Sequence, residues 1–147
     1  LQRLTTTKEG ESCPCWSPDG NTICFTSRAS GSTALYTISS TGGQMKRLQT
    51  IGAINGTEPD WSPDGKMIAF TAQMGGFQIC IVPDEGGEAQ ILTAGADPSW
   101  APNSRTIIFT RNTVRGTRSL SLLDVYTKRV KDCNRMKASC SQPVWAK

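Results

Sequence analysis

The stretch PDWSPDGKMIAF, residues Pro59–Phe70, decides the fold because the chain repeats it. Near-copies are PCWSPDGNTICF at Pro14–Phe25, PSWAPNSRTIIF at Pro98–Phe109 and a shortened PVWAK at Pro143–Lys147. All four tryptophans of the chain fall in these copies, at Trp16, Trp61, Trp100 and Trp145, with spacings of 45, 39 and 45 residues. The 147-residue chain is therefore organised as repeats of one unit.

Each unit is predicted to consist of β-strands, without a helix. A period of about 40–45 residues is typical of four-stranded propeller blades. Short runs rich in β-branched and aromatic residues, bounded by Gly and polar turns, predict the strands. The predicted strands are 22–26, 34–38 and 46–48; 67–71, 78–82 and 90–92; and 106–110, 119–123 and 129–132. The sequence thus predicts an all-β chain, a partial β-propeller of three four-stranded repeats.

The conserved letters of the repeat have a structural explanation within this chain. Ser62-Pro63-Asp64-Gly65 suits a tight turn, with Pro fixing φ, Asp bonding its own backbone and Gly accepting positive φ. The indole that precedes the turn is expected to fill the seam between neighbouring blades, where such a ring buries roughly 150–250 Å². In the third copy Ser104 replaces the turn glycine, so a strained or altered corner is expected there.

The composition is that of a folded protein with an uneven charge distribution. Residues 1–104 contain 6 Lys/Arg and 10 Asp/Glu, whereas residues 105–147 contain 10 and 2. The basic final third could face an acidic partner, lipid head groups or nucleic acid, although solvated strand faces and loops explain it more simply. No aromatic and basic stripe accompanies it, so nucleic-acid binding is not expected. No apolar run is long enough to span a bilayer.

Residues that could carry chemistry are scarce. The chain has no histidine, which excludes Ser-His and Cys-His pairs, and the repeated Asp19 and Asp64 are better explained by the turn. Six cysteines lack the paired spacing of a zinc site. Cys24 and Cys80 are predicted to be buried apolar residues. Cys133 and Cys140 either form a bridge or remain thiols, and the sequence leaves the disulfide state of Cys13 and Cys15 open. No enzyme activity, catalytic residue, metal or cofactor is expected.

The motif P-x-W-S-P-D-G followed by an apolar strand ending in Phe resembles the propeller repeat of the TolB family. The resemblance continues through FQICIVPDEGGEAQILT, Phe77–Thr93, and covers essentially the whole chain. Similar repeats occur in the gating propellers of prolyl-oligopeptidase-like serine peptidases and tricorn-like proteases. The resemblance implies a six-bladed propeller, of which this chain would be the C-terminal half.

The repeats are predicted at about 14–58, 59–97 and 98–142, in a single propeller segment covering 1–147. Residues 1–6 are expected to be the outer strand of one adjoining blade and residues 143–147 the inner strand of another. Three repeats do not close a ring, since closed propellers typically have about 4–8 blades. Either further blades and an α/β domain precede this chain, or two copies associate as a homodimer that closes the ring.

The residues just before each tryptophan are predicted to line the mouth of the propeller. The loops that lead there are 6–14, 51–59, 94–98 and 136–143. Variable polar side chains on a constant frame favour partner binding, and the candidates are Glu58, Asp60, Asp97, Ser99 and Gln142. The TolB resemblance implies a periplasmic scaffold of the Tol–Pal system that docks the lipoprotein Pal and contacts other Tol proteins. The alternative is a peptidase gating propeller.

Overall fold

The computed structural model describes residues 3–112, 116–133 and 140–145, and these residues form β-strands and turns only. The fourteen strands run in chain order as follows: β1 Glu11–Trp16, β2 Thr22–Ser27, β3 Ala34–Ser39, β4 Lys46–Arg47, β5 Thr50–Ile51, β6 Thr57–Trp61, β7 Met67–Gln73, β8 Phe77–Pro83, β9 Gly87–Glu88, β10 Gln90–Ala94, β11 Ala96–Trp100, β12 Thr106–Asn112, β13 Arg118–Asp124 and β14 Val130–Asp132. Within these described residues no helix has the length and apolarity needed to cross a membrane.

The strands form three four-stranded antiparallel sheets, which we call blades 1, 2 and 3. Blade 1 has the order β1-β2-β3-β4, blade 2 the order β6-β7-β8-β10 and blade 3 the order β11-β12-β13-β14. The two short strands β5 and β9 pair in parallel and link the loop after blade 1 to the outer hairpin of blade 2. The predicted all-β partial propeller is therefore confirmed.

The hydrophobic cores lie at the seams between blades, and the repeated tryptophans take part in them. Trp61 of blade 2 is 6% exposed and belongs to a buried cluster with Cys24 and Leu35 of blade 1. Trp100 of blade 3 is 2% exposed and belongs to a cluster with Ile79 of blade 2. Each indole thus packs against the blade that precedes its own. Burial of such a ring stabilises a seam by several kcal/mol, at about 25 cal/mol per Å².

The expectation that every repeated tryptophan fills a seam is wrong for Trp16. Its side chain is 56% exposed. The physical reason is positional, because the indole packs on the preceding blade and no blade precedes blade 1 among the described residues. The face of blade 1 on that side, which includes Phe25 and Tyr36, is partly covered by Leu4 and Met45 instead.

The two ends of the chain form no strands where they are described. Residues 3–6 of the predicted outer strand 1–6 make no ladder pairs, nor do residues 143–145 of the predicted inner strand 143–147. Each would need a neighbouring strand from an adjoining blade. Residues 1–2 and 146–147 of these predicted strands lie outside the described residues, as do residues 136–139 of the predicted loop 136–143.

The turn after the tryptophan follows the chemistry predicted for it. In blade 2 the hydroxyl of Ser62 donates to Asp64 Oδ1 at 2.6 Å and accepts the backbone N–H of Met67 at 3.0 Å. Gly65 takes a φ of 76°. In blade 3 Ser104 adopts φ 50° at the glycine position, which is the strained corner that the sequence predicts.

Candidate functional site

The inner strand of every blade carries the same backbone distortion three residues before its tryptophan. Cys13, Glu58, Asp97 and Gln142 have φ values of 53°, 54°, 55° and 51°. The strand register shifts at this point in β1, β6 and β11. Positive φ is uncommon for residues other than glycine, and bulges re-aim side chains. Its recurrence in all four copies makes the distortion a built feature of the repeat.

The distortion places three consecutive residues of each copy around one shared groove of about 270 Å³. We call it the pre-tryptophan groove, and its lining residues come from all three blades and from the fourth copy of the motif. They are Cys13, Pro14, Cys15, Glu58, Pro59, Asp60, Asp97, Pro98, Ser99, Gln142, Pro143 and Val144. All five residues chosen from the sequence, Glu58, Asp60, Asp97, Ser99 and Gln142, are therefore brought together.

Two carboxylates of the groove also join one blade to the next. Glu58 Oε2 accepts the backbone N–H of Asp97 at 3.1 Å and the hydroxyl of Thr71 at 2.6 Å. Asp97 Oδ2 in turn accepts the backbone N–H of Gln142 at 3.4 Å. In both cases the carboxylate three residues before one tryptophan accepts the backbone N–H of the residue three before the next tryptophan. These bonds fix the positions of Glu58 and Asp97 around the groove.

The position just before the tryptophan also joins two blades in the second copy of the motif. Asp60 Oδ2 accepts the backbone N–H of Trp100 at 2.6 Å, across the seam between blades 2 and 3. Ser99, at the same position in blade 3, is only 4% exposed. Sequence reasoning assigned Asp60 to partner contact and missed its role in joining the blades. The only signal in the sequence was that acids precede the tryptophan in the second and third copies, at Glu58, Asp60 and Asp97.

Burial and neighbouring charge set the electrostatics of the groove. Burial raises the pKa of the Glu58 carboxyl above its usual value, and the nearby Asp97 adds to the effect, while the Thr71 hydrogen bond opposes it. Asp97 is 8% exposed and lies 3.9 Å from the guanidinium of Arg118. Arg118 belongs to the basic final third of the chain. Its charge was therefore evident from the sequence, but its position beside Asp97 was not.

The exposed part of the groove is formed by its first and last copies of the motif. Cys13 and Gln142 are exposed, and Val144 is 78% exposed. An exposed valine beside hydrogen-bonded acids, of which Asp97 is buried and Glu58 and Asp60 are half-buried, gives the groove an apolar contact point with a polar base. Such a surface fits a protein or peptide chain better than a reacting small molecule, because its carboxylates are committed to backbone N–H groups.

Metal binding finds little support in the part of the chain that the structure describes. It holds no group of three or more His, Cys, Asp or Glu side chains that could bind a metal ion. Cys24 and Cys80 are completely buried, as the sequence predicts. Cys133 is a free thiol in this structure.

The seams and the shared groove define a class of protein, the β-propellers built from tryptophan-turn repeats. The family described as the TolB beta propeller domain matches residues 1–147, and the chain belongs to that family.

Solved structures show the same fold at low sequence identity. A protein assigned as TolB from Agrobacterium tumefaciens superimposes with a TM-score of 0.85 at 19% identity, over 97% of this chain and 52% of its own length. A puromycin-hydrolyzing peptidase from Mycobacterium tuberculosis gives 0.67 at 18% identity, over 87% of this chain and 21% of its own. The propeller domain of the trilobed protease of Pyrococcus furiosus gives 0.65 at 16% identity, over 90% and 46%. This chain therefore spans about half or less of each of these structures.

Proposed function

We propose that the chain is a non-catalytic, periplasmic protein-binding scaffold of the Tol–Pal envelope system. Its pre-tryptophan groove docks a Pal-like lipoprotein, and its remaining surface contacts other Tol proteins. The observation that carries the proposal is the groove itself, to which every copy of the motif contributes the same three positions with different side chains. Membership of the TolB propeller family supports the choice of partner.

The groove is suited to hold a small protruding element of a larger partner. A volume of about 270 Å³ accommodates a loop tip or one or two side chains. Specific protein interfaces bury about 800 Å² per partner, so most of the contact falls on the surrounding loops. The exposed side chains of Gln142 and Val144 lie where such an element enters, and anchors near the centre of an interface carry most of its affinity.

The experiment compares two matched substitutions in the full chain. Val144→Arg places a long cation at the groove, whereas Ile91→Arg makes the same change at a 43% exposed residue of β10 that does not line the groove. Affinity for the purified soluble domain of a Pal-like lipoprotein is measured by calorimetry. We expect Val144→Arg to weaken binding roughly tenfold or more and Ile91→Arg to leave it unchanged. Equal affinities for both variants and the unmodified chain would contradict the proposal.

A peptidase gating propeller is the second candidate, because the fold also matches propeller-bearing peptidases at TM-scores above 0.6. A gate filters peptides by channel size and needs no affinity for an envelope lipoprotein. The two candidates are separated by retention of the lipoprotein domain on the immobilised chain. Retention supports the scaffold, while stable association with a serine hydrolase domain in place of the lipoprotein supports the gate.

We further propose that two copies of the chain can associate to cover their open ends. Trp16 is 56% exposed, although its counterparts Trp61 and Trp100 are buried by a preceding blade. A second copy supplies such a blade if its blade 3 packs against the open face of blade 1. A closed ring of six blades results when this contact is made twice.

A further inference from the structure

Two cysteines of blade 1 face each other across neighbouring strands. Cys15 of β1 and Cys24 of β2 are direct partners in the antiparallel register. Side chains of directly opposed residues lie on the same face of a sheet, with Cβ atoms about 4.5–5.5 Å apart. Cys24 is completely buried in the core between blades 1 and 2, and Cys15 packs partly buried against the same cluster.

The backbone spacing of this pair suits a disulfide bond. The backbone N–H of Ser17 bonds the carbonyl of Thr22 at 2.8 Å, two residues along each strand from the cysteines. Because hydrogen-bonded and non-hydrogen-bonded pairs alternate, Cys15 and Cys24 form a hydrogen-bonded pair, with Cα atoms about 5.5 Å apart. This Cα spacing lies within the range for disulfides, but the Cβ atoms of such a pair lie toward about 5.5 Å, beyond the usual range of about 3.5–4.5 Å, so the two strands must move closer together for the bond to form. A bond there forms with some strain and is reduced easily.

We infer that Cys15 and Cys24 form a reversible thiol–disulfide site whose oxidant is a low-molecular-weight disulfide. The Cys15 thiolate attacks one sulfur of the oxidant, forms a mixed disulfide and releases one small thiol. The Cys24 thiolate then attacks the Cys15 sulfur and releases the second small thiol, and each cysteine gives up one proton. The protein is oxidised by two electrons and the small disulfide is reduced to two thiols.

The order of attack follows from access. Cys15 lines the pre-tryptophan groove and reaches the surface, whereas Cys24 has no exposed area. A hydrogen bond with Cys15, together with burial, raises the pKa of the Cys24 thiol well above its usual value. Cys24 is therefore the poorer nucleophile in the reduced protein, so Cys15 attacks the oxidant first, and Cys24 resolves the mixed disulfide only after it has given up its proton.

The test uses the full chain, incubated with oxidised glutathione at mildly alkaline pH and then mapped. Trypsin releases residues 9–28 as one peptide that contains Cys13, Cys15 and Cys24. A second protease that cuts before Asp19 splits this peptide, so the halves stay joined only by a disulfide. We expect linked halves that have lost the mass of two hydrogen atoms and that separate after dithiothreitol.

Substitutions identify the partner of Cys24. Cys13→Ser leaves both proposed thiols in place and should give the same linked peptide, whereas Cys15→Ser should abolish it. Cys13 is the matched control because it is exposed, lies two residues away and lines the same groove. Unlinked halves in the Cys13→Ser protein overturn the inference, as does a Cys24 that stays reduced while Cys15 retains glutathione. A link that persists in Cys15→Ser also overturns it.

Discussion

The carboxylate of Asp60 in blade 2 accepts the backbone N–H of Trp100 in blade 3 at 2.6 Å. Trp100 is 2% exposed, so water does not reach this N–H easily. This hydrogen bond thus connects Trp100, which precedes the turn of blade 3, to Asp60, which lines the groove in blade 2. The groove and the seam depend on the same side chain.

Removal of the Asp60 carboxylate should weaken the seam. Asp60→Ala leaves the buried N–H of Trp100 without this acceptor, at a cost of about 1–3 kcal/mol in the free energy of unfolding. Asp60→Asn keeps an oxygen in the same place and should cost clearly less. Urea denaturation of the two variants measures the difference. Equal stability of Asp60→Ala and the unmodified chain would show that the bond does not hold the seam.

The pH dependence of stability should report the burial of Glu58. Burial raises the pKa of its carboxyl above the usual 4.5, so the folded protein holds this proton more tightly than the unfolded chain. The contribution of Glu58 to stability is therefore full below pH 4.5 and is lost as pH rises through the raised pKa. Glu58→Gln keeps an acceptor for Thr71 without the charge, so it should be more stable than the unmodified chain at neutral pH.

Denaturation at a series of pH values tests the sign of this effect. The advantage of Glu58→Gln should shrink as pH falls toward 4.5 and below, where Glu58 itself is protonated. A variant that loses stability relative to the unmodified chain as pH rises would contradict the assigned cause.

The two buried tryptophans should respond differently to the same substitution. Trp61 Nε1 donates to the carbonyl of Gly65 at 3.1 Å, whereas Trp100 Nε1 is buried with no acceptor among the described residues. Trp→Phe removes a similar volume at both sites but a hydrogen bond only at Trp61. Trp61→Phe should therefore lose about 0.5–1.5 kcal/mol more than Trp100→Phe. Chemical denaturation of both variants measures the loss in the free energy of unfolding. A larger loss for Trp100→Phe than for Trp61→Phe would refute the prediction.

Self-association of the chain should depend on Trp16. Sedimentation at micromolar concentration is expected to give the mass of two chains, and Trp16→Glu should give the mass of one. Ile91→Glu is the control, since Ile91 is also an exposed apolar residue but lies on an outer strand. A monomeric mass for the unmodified chain with an intact β circular dichroism spectrum would contradict the association.

The strands and the groove residues could be predicted because they follow from a repeated local pattern. The strand predicted at 67–71 begins at the same residue as the observed Met67–Gln73 and ends two residues earlier. The residues before each tryptophan meet because they occupy one position in every blade. Exposure of Trp16 could not be read from its motif, which matches that of the buried Trp61. Its environment depends on the preceding blade and not on its own residues.

The bonds between blades were beyond sequence reasoning for a related reason. Glu58 reaches the N–H of Asp97 only because both residues adopt positive φ beside a bulge. Nothing in the sequence of the motif indicates that backbone conformation. Acidic residues adopt positive φ only rarely, although less rarely than β-branched residues do. The opposition of Cys15 and Cys24 likewise follows from a register that the bulge between Ser12 and Cys15 sets.

Hydrogen exchange of the chain, with and without the soluble domain of a Pal-like lipoprotein, tests the central claim most directly. The claim predicts slower exchange in the peptides that carry residues 13–15, 58–60, 97–99 and 142–144, with the outer strand β10 unchanged. Slower exchange confined to outer strands such as β10, or no slowing anywhere under saturating lipoprotein, would contradict the claim that the residues before the repeated tryptophans form the docking site.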